Sequence, residues 1–175
     1  RIAAEGKVVL ANNEDHSEAV MVEINCETDF VAKDENFMAF ARDVAGQALK
    51  LATTDVEAVM ASEVDGDTLE TARQNLITKI GENIQVRRAF RMTSDDRIGA
   101  YIHGGHIGVM VDVEGGDDEV AHDIAMHIAA MNPSYVDVDD VPADVIEKEK
   151  RFLVAQAEDS GKPAEIIEKM VSGRM

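Results

Sequence analysis

Two five-residue stretches almost ninety positions apart are near copies of each other: Val20-Met21-Val22-Glu23-Ile24 and Val109-Met110-Val111-Asp112-Val113. Each is rich in β-branched residues with an acidic residue in fourth place, the pattern of a strand buried on one or both faces. A second shared pattern follows each, Ala41-Arg42-Asp43-Val44-Ala45 in one copy and Ala121-His122-Asp123-Ile124-Ala125 in the other. Apolar residues around it recur at three- and four-residue spacing: Phe37, Phe40, Val44 and Ala48, then Val120, Ile124 and Ile128. Both stretches therefore predict amphipathic helices. A strand followed by a helix, twice over, constrains the fold to two related subdomains.

The copies differ in spacing. Val20 to Ala41 spans 21 positions and Val109 to Ala121 spans 12, so the first copy carries about nine extra residues, which fall in segment 26–34. A surface insertion costs little stability, and loops on a rigid scaffold tend to carry function. Phe30 lies inside this insertion, in a chain with only 4% aromatic residues. Two readings of it stand open: it starts a helix and packs inward, or it stands exposed as an anchor for a partner's pocket.

Each repeat strand has an upstream companion. Residues 6–10 precede the Val20 strand across the turn Asn12-Asn13-Glu14-Asp15, and residues 84–92 and 98–103 flank the turn Ser94-Asp95-Asp96. These segments predict antiparallel meanders with hairpin turns. Helices are predicted over residues 55–61, 69–80, 143–158 and 163–171, with Pro163 in a first turn and Gly173 as a stop. The expected fold class is α+β: two related subdomains, each a small antiparallel sheet packed with helices. They are expected over residues 1–95 and 96–175, the second truncated at its C-terminal end.

Charge narrows the partners. The formal net charge is −18, from 35 acidic and 17 basic residues, and no Lys or Arg lies between Arg97 and Lys148. A phosphate backbone is repelled by such a field, so no direct nucleic-acid binding is expected. The acidic stretch reads either as a solvated face or as a docking surface for a basic partner. No apolar run approaches the roughly 20 residues that span a bilayer, so no membrane is expected. A single cysteine, Cys26, fits a reducing compartment, and the expected location is cytoplasmic. A chain that opens on Arg1 and stops directly behind a helical stretch reads as part of a longer protein.

Catalytic and cofactor patterns are thin. There is no phosphate loop and no dinucleotide glycine fingerprint, and Gly104-Gly105-His106-Ile107-Gly108 reads as a tight hairpin. Cys26 has no spaced partner for a zinc site, and as a nucleophile it lacks a nearby His and faces carboxylates that raise its pKa. His103 and His106 are close enough to pair on a metal but have no evident third ligand. His122 and His127 lie on different helix faces, and Asp65 and Asp67 do not fit a calcium loop. No catalytic residue, cofactor or metal is expected, and the chain is not expected to be an enzyme.

The run Glu23-Ile24-Asn25-Cys26-Glu27-Thr28-Asp29-Phe30-Val31-Ala32-Lys33 resembles the signature segment of the elongation factor Ts family. Further agreement comes from Lys79-Ile80-Gly81-Glu82-Asn83, Tyr101-Ile102-His103-Gly104, Ile107-Gly108-Val109, Ile124-Ala125-Met126-His127-Ile128-Ala129-Ala130, Ser160-Gly161-Lys162-Pro163 and Glu168-Lys169-Met170-Val171. The resemblance covers essentially the whole chain. It implies a guanine-nucleotide exchange factor for elongation factor Tu, the GTPase that delivers aminoacyl-tRNA, with a core of two related α+β subdomains. It also implies partner-binding residues: Thr28, Asp29, Phe30 and Val31 of the loop, with Phe30 as the wedge and Asp29 supporting it; Ile80 and Gly81; and His103. The family carries a small N-terminal helical domain, and a helical hairpin and C-terminal module after the position of Met175, none of which is in this sequence. His106 stands where the family often has Lys or Arg. An alternative is a fragment that binds the GTPase as a structural or assembly partner without exchange. The oligomeric state is left open.

Overall fold

The structure of the chain, a computed structural model, describes residues 2–175. β1 (Glu5–Asn12) and β2 (Glu18–Cys26) form an antiparallel hairpin, in register from Glu5 opposite Cys26 to Asn12 opposite Ala19. A single helical turn, α1 (Asp29–Ala32), leads into the long helix α2 (Glu35–Leu51) and the short α3 (Val56–Ala61). A two-residue hairpin, β3 (Glu63–Val64) with β4 (Asp67–Thr68), precedes α4 (Leu69–Ile80). Then come β5 (Gln85–Thr93), β6 (Arg97–His103), β7 (Ile107–Val113) and α5 (Asp118–Met131), a 3-10 turn at Val138–Asp140, and finally α6 (Ala143–Glu158) and α7 (Ala164–Arg174).

Helix starts follow side-chain chemistry. Asp34, Asp55, Thr68 and Asp117 each accept hydrogen bonds from backbone N–H groups of the first turn of α2, α3, α4 and α5. These groups have no intrahelical acceptor, so a short polar side chain there stabilises each helix by about 1 kcal/mol.

The main core lies where α2 covers one face of the β1–β2–β5 sheet. Phe37, Phe40, Ala41, Val44, Ala45 and Ala48 share one stripe of α2, as the spacing predicts, and bury against Val20, Val22 and Ile24 of β2. Val59, Leu69, Leu76 and Ile84 close the cluster. Each large side chain buried here contributes roughly 1.5–3 kcal/mol. The smaller sheet, β6 with β7, carries α5. A β-carbon at Gly99 would collide with the Ala121 carbonyl, so the absent side chain is what lets α5 lie so close to β6.

The fold class is α+β, and both repeat strands and both repeat helices form as their patterns predict. Two details differ. The segments before and after Ser94-Asp95-Asp96 do not pair as a hairpin: β5 joins the first sheet in the order β1-β2-β5, and β6 pairs only with β7. β5 partly buries Val86 and Ala89 against the main core in this position, and across the strands Arg87 and Arg88 meet Glu23 of β2 and Arg91 meets Glu18. Gly173 does not stop its helix. α7 continues to Arg174, with Met175 N–H donating to the Val171 carbonyl at 3.0 Å. Two compact units divide at Asn132 and Pro133, so position 95/96 falls inside the first unit, in the turn between β5 and β6. The second unit, Pro133–Met175, packs α6 on α7 around Leu153, Ala157 and Val171. No helix among the described residues is long and apolar enough to cross a membrane.

Candidate functional site

The insertion in the first repeat folds as α1. Thr28 caps it, its Oγ1 accepting from the Val31 N–H at 3.4 Å, and the Lys33 and Asp34 N–H groups close the turn on the Phe30 and Val31 carbonyls at 3.1 and 3.0 Å. Ala32 is buried and Val31 packs against the main core, so the opposite side of the turn faces solvent. Phe30 is on that side, 81% exposed. This decides between the two readings left open by the sequence: Phe30 begins a helix but does not pack inward. Asp29 beside it forms an exposed ion pair with Lys33 at 3.4 Å.

A four-residue turn does not persist alone in water, because helix nucleation is unfavourable. The turn is held from the segment after α4. Glu82 Oε2 accepts from the N–H groups of Glu27 and Thr28, both at 3.1 Å, and its Oε1 accepts from the Thr28 hydroxyl at 2.7 Å. Glu27 Oε1 in turn accepts from the Asn83 N–H at 2.9 Å. Beneath the loop, the Cys26 thiol donates to the Thr28 carbonyl at 3.2 Å. Burial, followed by the nearby Glu82 carboxylate, pushes this thiol up to about 11, so Cys26 is a protonated packing group at neutral pH and not a nucleophile.

Gly81 gives the clamp its geometry. It ends α4 in the left-handed region at φ +82°, with its N–H donating to the Ile77 carbonyl at 2.7 Å, and the chain turns from helix towards the loop at that point. Ile80 is half-buried and packs against the main core, whereas Gly81 is exposed. His103 lies at the end of β6, exposed, with its Nδ1 2.9 Å from the Tyr101 hydroxyl. The adjoining turn is tied to β1, the Val8 N–H donating to the Gly105 carbonyl at 2.8 Å.

Thr28, Asp29, Phe30 and Val31 therefore form one turn, and the Glu27–Glu82 exchange of hydrogen bonds joins it to Ile80 and Gly81. Among the described residues no hydrogen bond or ion pair joins His103 to this group. A cleft of about 560 Å³ between the outer surface of β5 and β7, lined by residues including Met21, Phe90, Met92, His106 and Met110, contains none of the seven. Sequence reasoning assigned no role to Glu27, Glu82 or Asn83. The one available signal was their place inside the two matched segments; the contact itself joins positions more than 50 residues apart.

Fold and site together define an α+β protein that presents one exposed aromatic on a braced turn. Among the described residues, no three His, Cys, Asp or Glu side chains group to hold a metal ion. A family model described as Elongation factor TS matches residues 27–175, and the chain belongs to the elongation factor Ts family. It is 53% identical over 175 residues to an elongation factor Ts of Halorhodospira halophila, covering all of this chain and 60% of that protein. It is 55% identical over 176 residues to one of Alcanivorax borkumensis and 56% over 176 residues to one of Alkalilimnicola ehrlichii, again over the whole chain and 62% and 60% of those proteins. The chain thus spans about three fifths of the length of the curated relatives it matches.

Proposed function

We propose that this chain works in translation as a guanine-nucleotide exchange factor: it binds elongation factor Tu and promotes GDP release by inserting the Thr28-Asp29-Phe30 loop near the nucleotide and Mg²⁺ site. The observation that carries this reading is Phe30, a large apolar side chain 81% exposed on a turn that the rest of the domain braces. Exposure of an aromatic on a rigid support is what a partner pocket recognises, since little ordering remains to be done on binding. Membership of the elongation factor Ts family supports elongation factor Tu as that GTPase. A cytoplasmic location accords with that role.

Exchange of this kind involves no covalent step. The factor binds the nucleotide-free GTPase more tightly than the GDP-bound form, and by linkage GDP then weakens its binding equally. Nanomolar GDP affinity corresponds to about 12 kcal/mol. Moving a two-state equilibrium from 1:99 to 99:1 takes about 5.5 kcal/mol of differential affinity. Full burial of one Phe supplies roughly 3 kcal/mol. Phe30 is therefore insufficient alone, and the exposed Gly81 and His103, with Ile80 behind, share the interaction. The wedge displaces helices that position the phosphate loop and the Mg²⁺-coordinating groups of the GTPase.

The test is release of fluorescent GDP from purified elongation factor Tu with and without this chain. Acceleration that is lost in Phe30→Ala, while the melting temperature is unchanged, is the expected result. Equal acceleration by wild type and Phe30→Ala would overturn the wedge. Because the chain spans only about 60% of its relatives, a second reading is a binding partner without exchange; co-elution with no acceleration is its signature.

A further inference from the structure

Resting on the exchange reading above, we propose that Glu82 is the positioning residue for Phe30. Its carboxylate is a clamp that holds the wedge turn in its binding-competent orientation and sets that turn relative to Gly81. Three donors converge on this one side chain: the consecutive N–H groups of Glu27 and Thr28 and the Thr28 hydroxyl. These N–H groups lie just past the end of β2, whose last residue, Cys26, pairs with Glu5. Among the described residues no strand accepts from them, and Glu82 takes the place of one. A carboxylate moved partly out of water is costly unless charge-assisted hydrogen bonds replace its hydration, and here three do.

Two features make this a positioning device and more than a fastening. The first is that Thr28 Oγ1 serves both sides: it donates to Glu82 and accepts from the Val31 N–H, so the clamp and the cap of α1 form one connected network. The second is how little core the turn brings with it. Of its four residues Ala32 is buried and Val31 packs partly against the core, while Asp29 and Phe30 are exposed, so releasing the clamp loosens α1 while the α2 stripe against β2 stays intact. Glu27 closes the exchange in the opposite direction through the Asn83 N–H, so the segments on both sides are fixed by reciprocal carboxylates. A turn released from this frame presents Phe30 in the right direction for only a fraction of the time, and the apparent affinity falls by that fraction.

The experiment compares wild type, Glu82→Ala, Glu82→Gln and Phe30→Ala by two measurements on the same chain. Amide hydrogen exchange at Val31, Ala32, Lys33 and Asp34 reports the turn directly. Fluorescent-GDP release from elongation factor Tu, titrated with the chain, gives the half-maximal concentration and the saturating rate separately. In Glu82→Ala the four amides exchange roughly tenfold faster while α2 and β2 amides keep their protection, the scale of losing one charge-assisted hydrogen bond. The half-maximal concentration rises by a similar factor and the saturating rate stays within about twofold. Glu82→Gln, which keeps an acceptor, falls between. The inference is overturned if the Val31–Asp34 amides of Glu82→Ala exchange as in wild type. It is equally overturned if α2 and β2 amides speed up in step with them, because Glu82 then only supports global stability. If both Phe30→Ala and Glu82→Ala accelerate GDP release as wild type does, the wedge reading falls with the inference; if wild type itself gives no acceleration, the exchange reading falls. If Phe30→Ala loses acceleration while Glu82→Ala keeps the wild-type half-maximal concentration, the exchange reading stands and the clamp falls.

Discussion

Replacing Gly81 by Ala separates two roles that this residue holds. Gly81 ends α4 at φ +82° and ψ 15°, a conformation in which an L side chain is strained wherever it points. A β-carbon built there meets no atom within 4 Å, so no steric clash adds to the cost. The whole penalty is the left-handed backbone, about 1–2 kcal/mol for Ala and a few tenths for Asn, which adopts that region more readily. For a unit of this size that corresponds to a melting temperature roughly 4–8 °C lower for Gly81→Ala and within about 2 °C of wild type for Gly81→Asn. Thermal unfolding followed by circular dichroism, with urea melts alongside, measures both. A Gly81→Ala variant as stable as wild type would refute the conformational argument. The Asn variant then addresses the second role: if Gly81 faces elongation factor Tu as proposed, Gly81→Asn is folded and stable yet needs more chain for half-maximal GDP release.

Gly99→Ala drives a β-carbon into the Ala121 carbonyl, and backbone cannot yield as a side-chain tip does, so a loss of about 1–3 kcal/mol is expected in a urea melt. Near-normal stability in that variant would mean that α5 is free to move off β6. The Cys26 thiol has a folded-state pKa raised from 9.0 to about 11, so folding favours the neutral form. Its contribution is fully present below about pH 9 and is lost as the pH rises through about 11. Wild type is therefore expected to lose more stability over that window than Cys26→Ala does, and parallel melting curves for the two would contradict it.

Sequence alone determined the features that depend on local period and chemistry. The β-branched character of β2 and β7, the three- and four-residue stripe of α2 and the extents of α4 and α6 all follow from the side chains within each segment. The family signature was also legible, because it is a contiguous run. Tertiary structure alone decided that β5 pairs with β2 and not with β6. A three-residue turn between β5 and β6 suits a hairpin equally well; partial burial of Val86 and Ala89 of β5 on the main core favours β2 instead, where Arg87, Arg88 and Arg91 also meet Glu23 and Glu18, 64 to 73 residues earlier. The same holds for Phe30. A one-turn helix has no periodicity long enough to show which side is buried, and the side facing solvent is set by Val31 and Ala32 packing on a core assembled from distant segments. Glu82 was beyond reach for a related reason: a carboxylate just past a helix end looks like ordinary solvated charge until the fold brings the N–H groups of Glu27 and Thr28 against it.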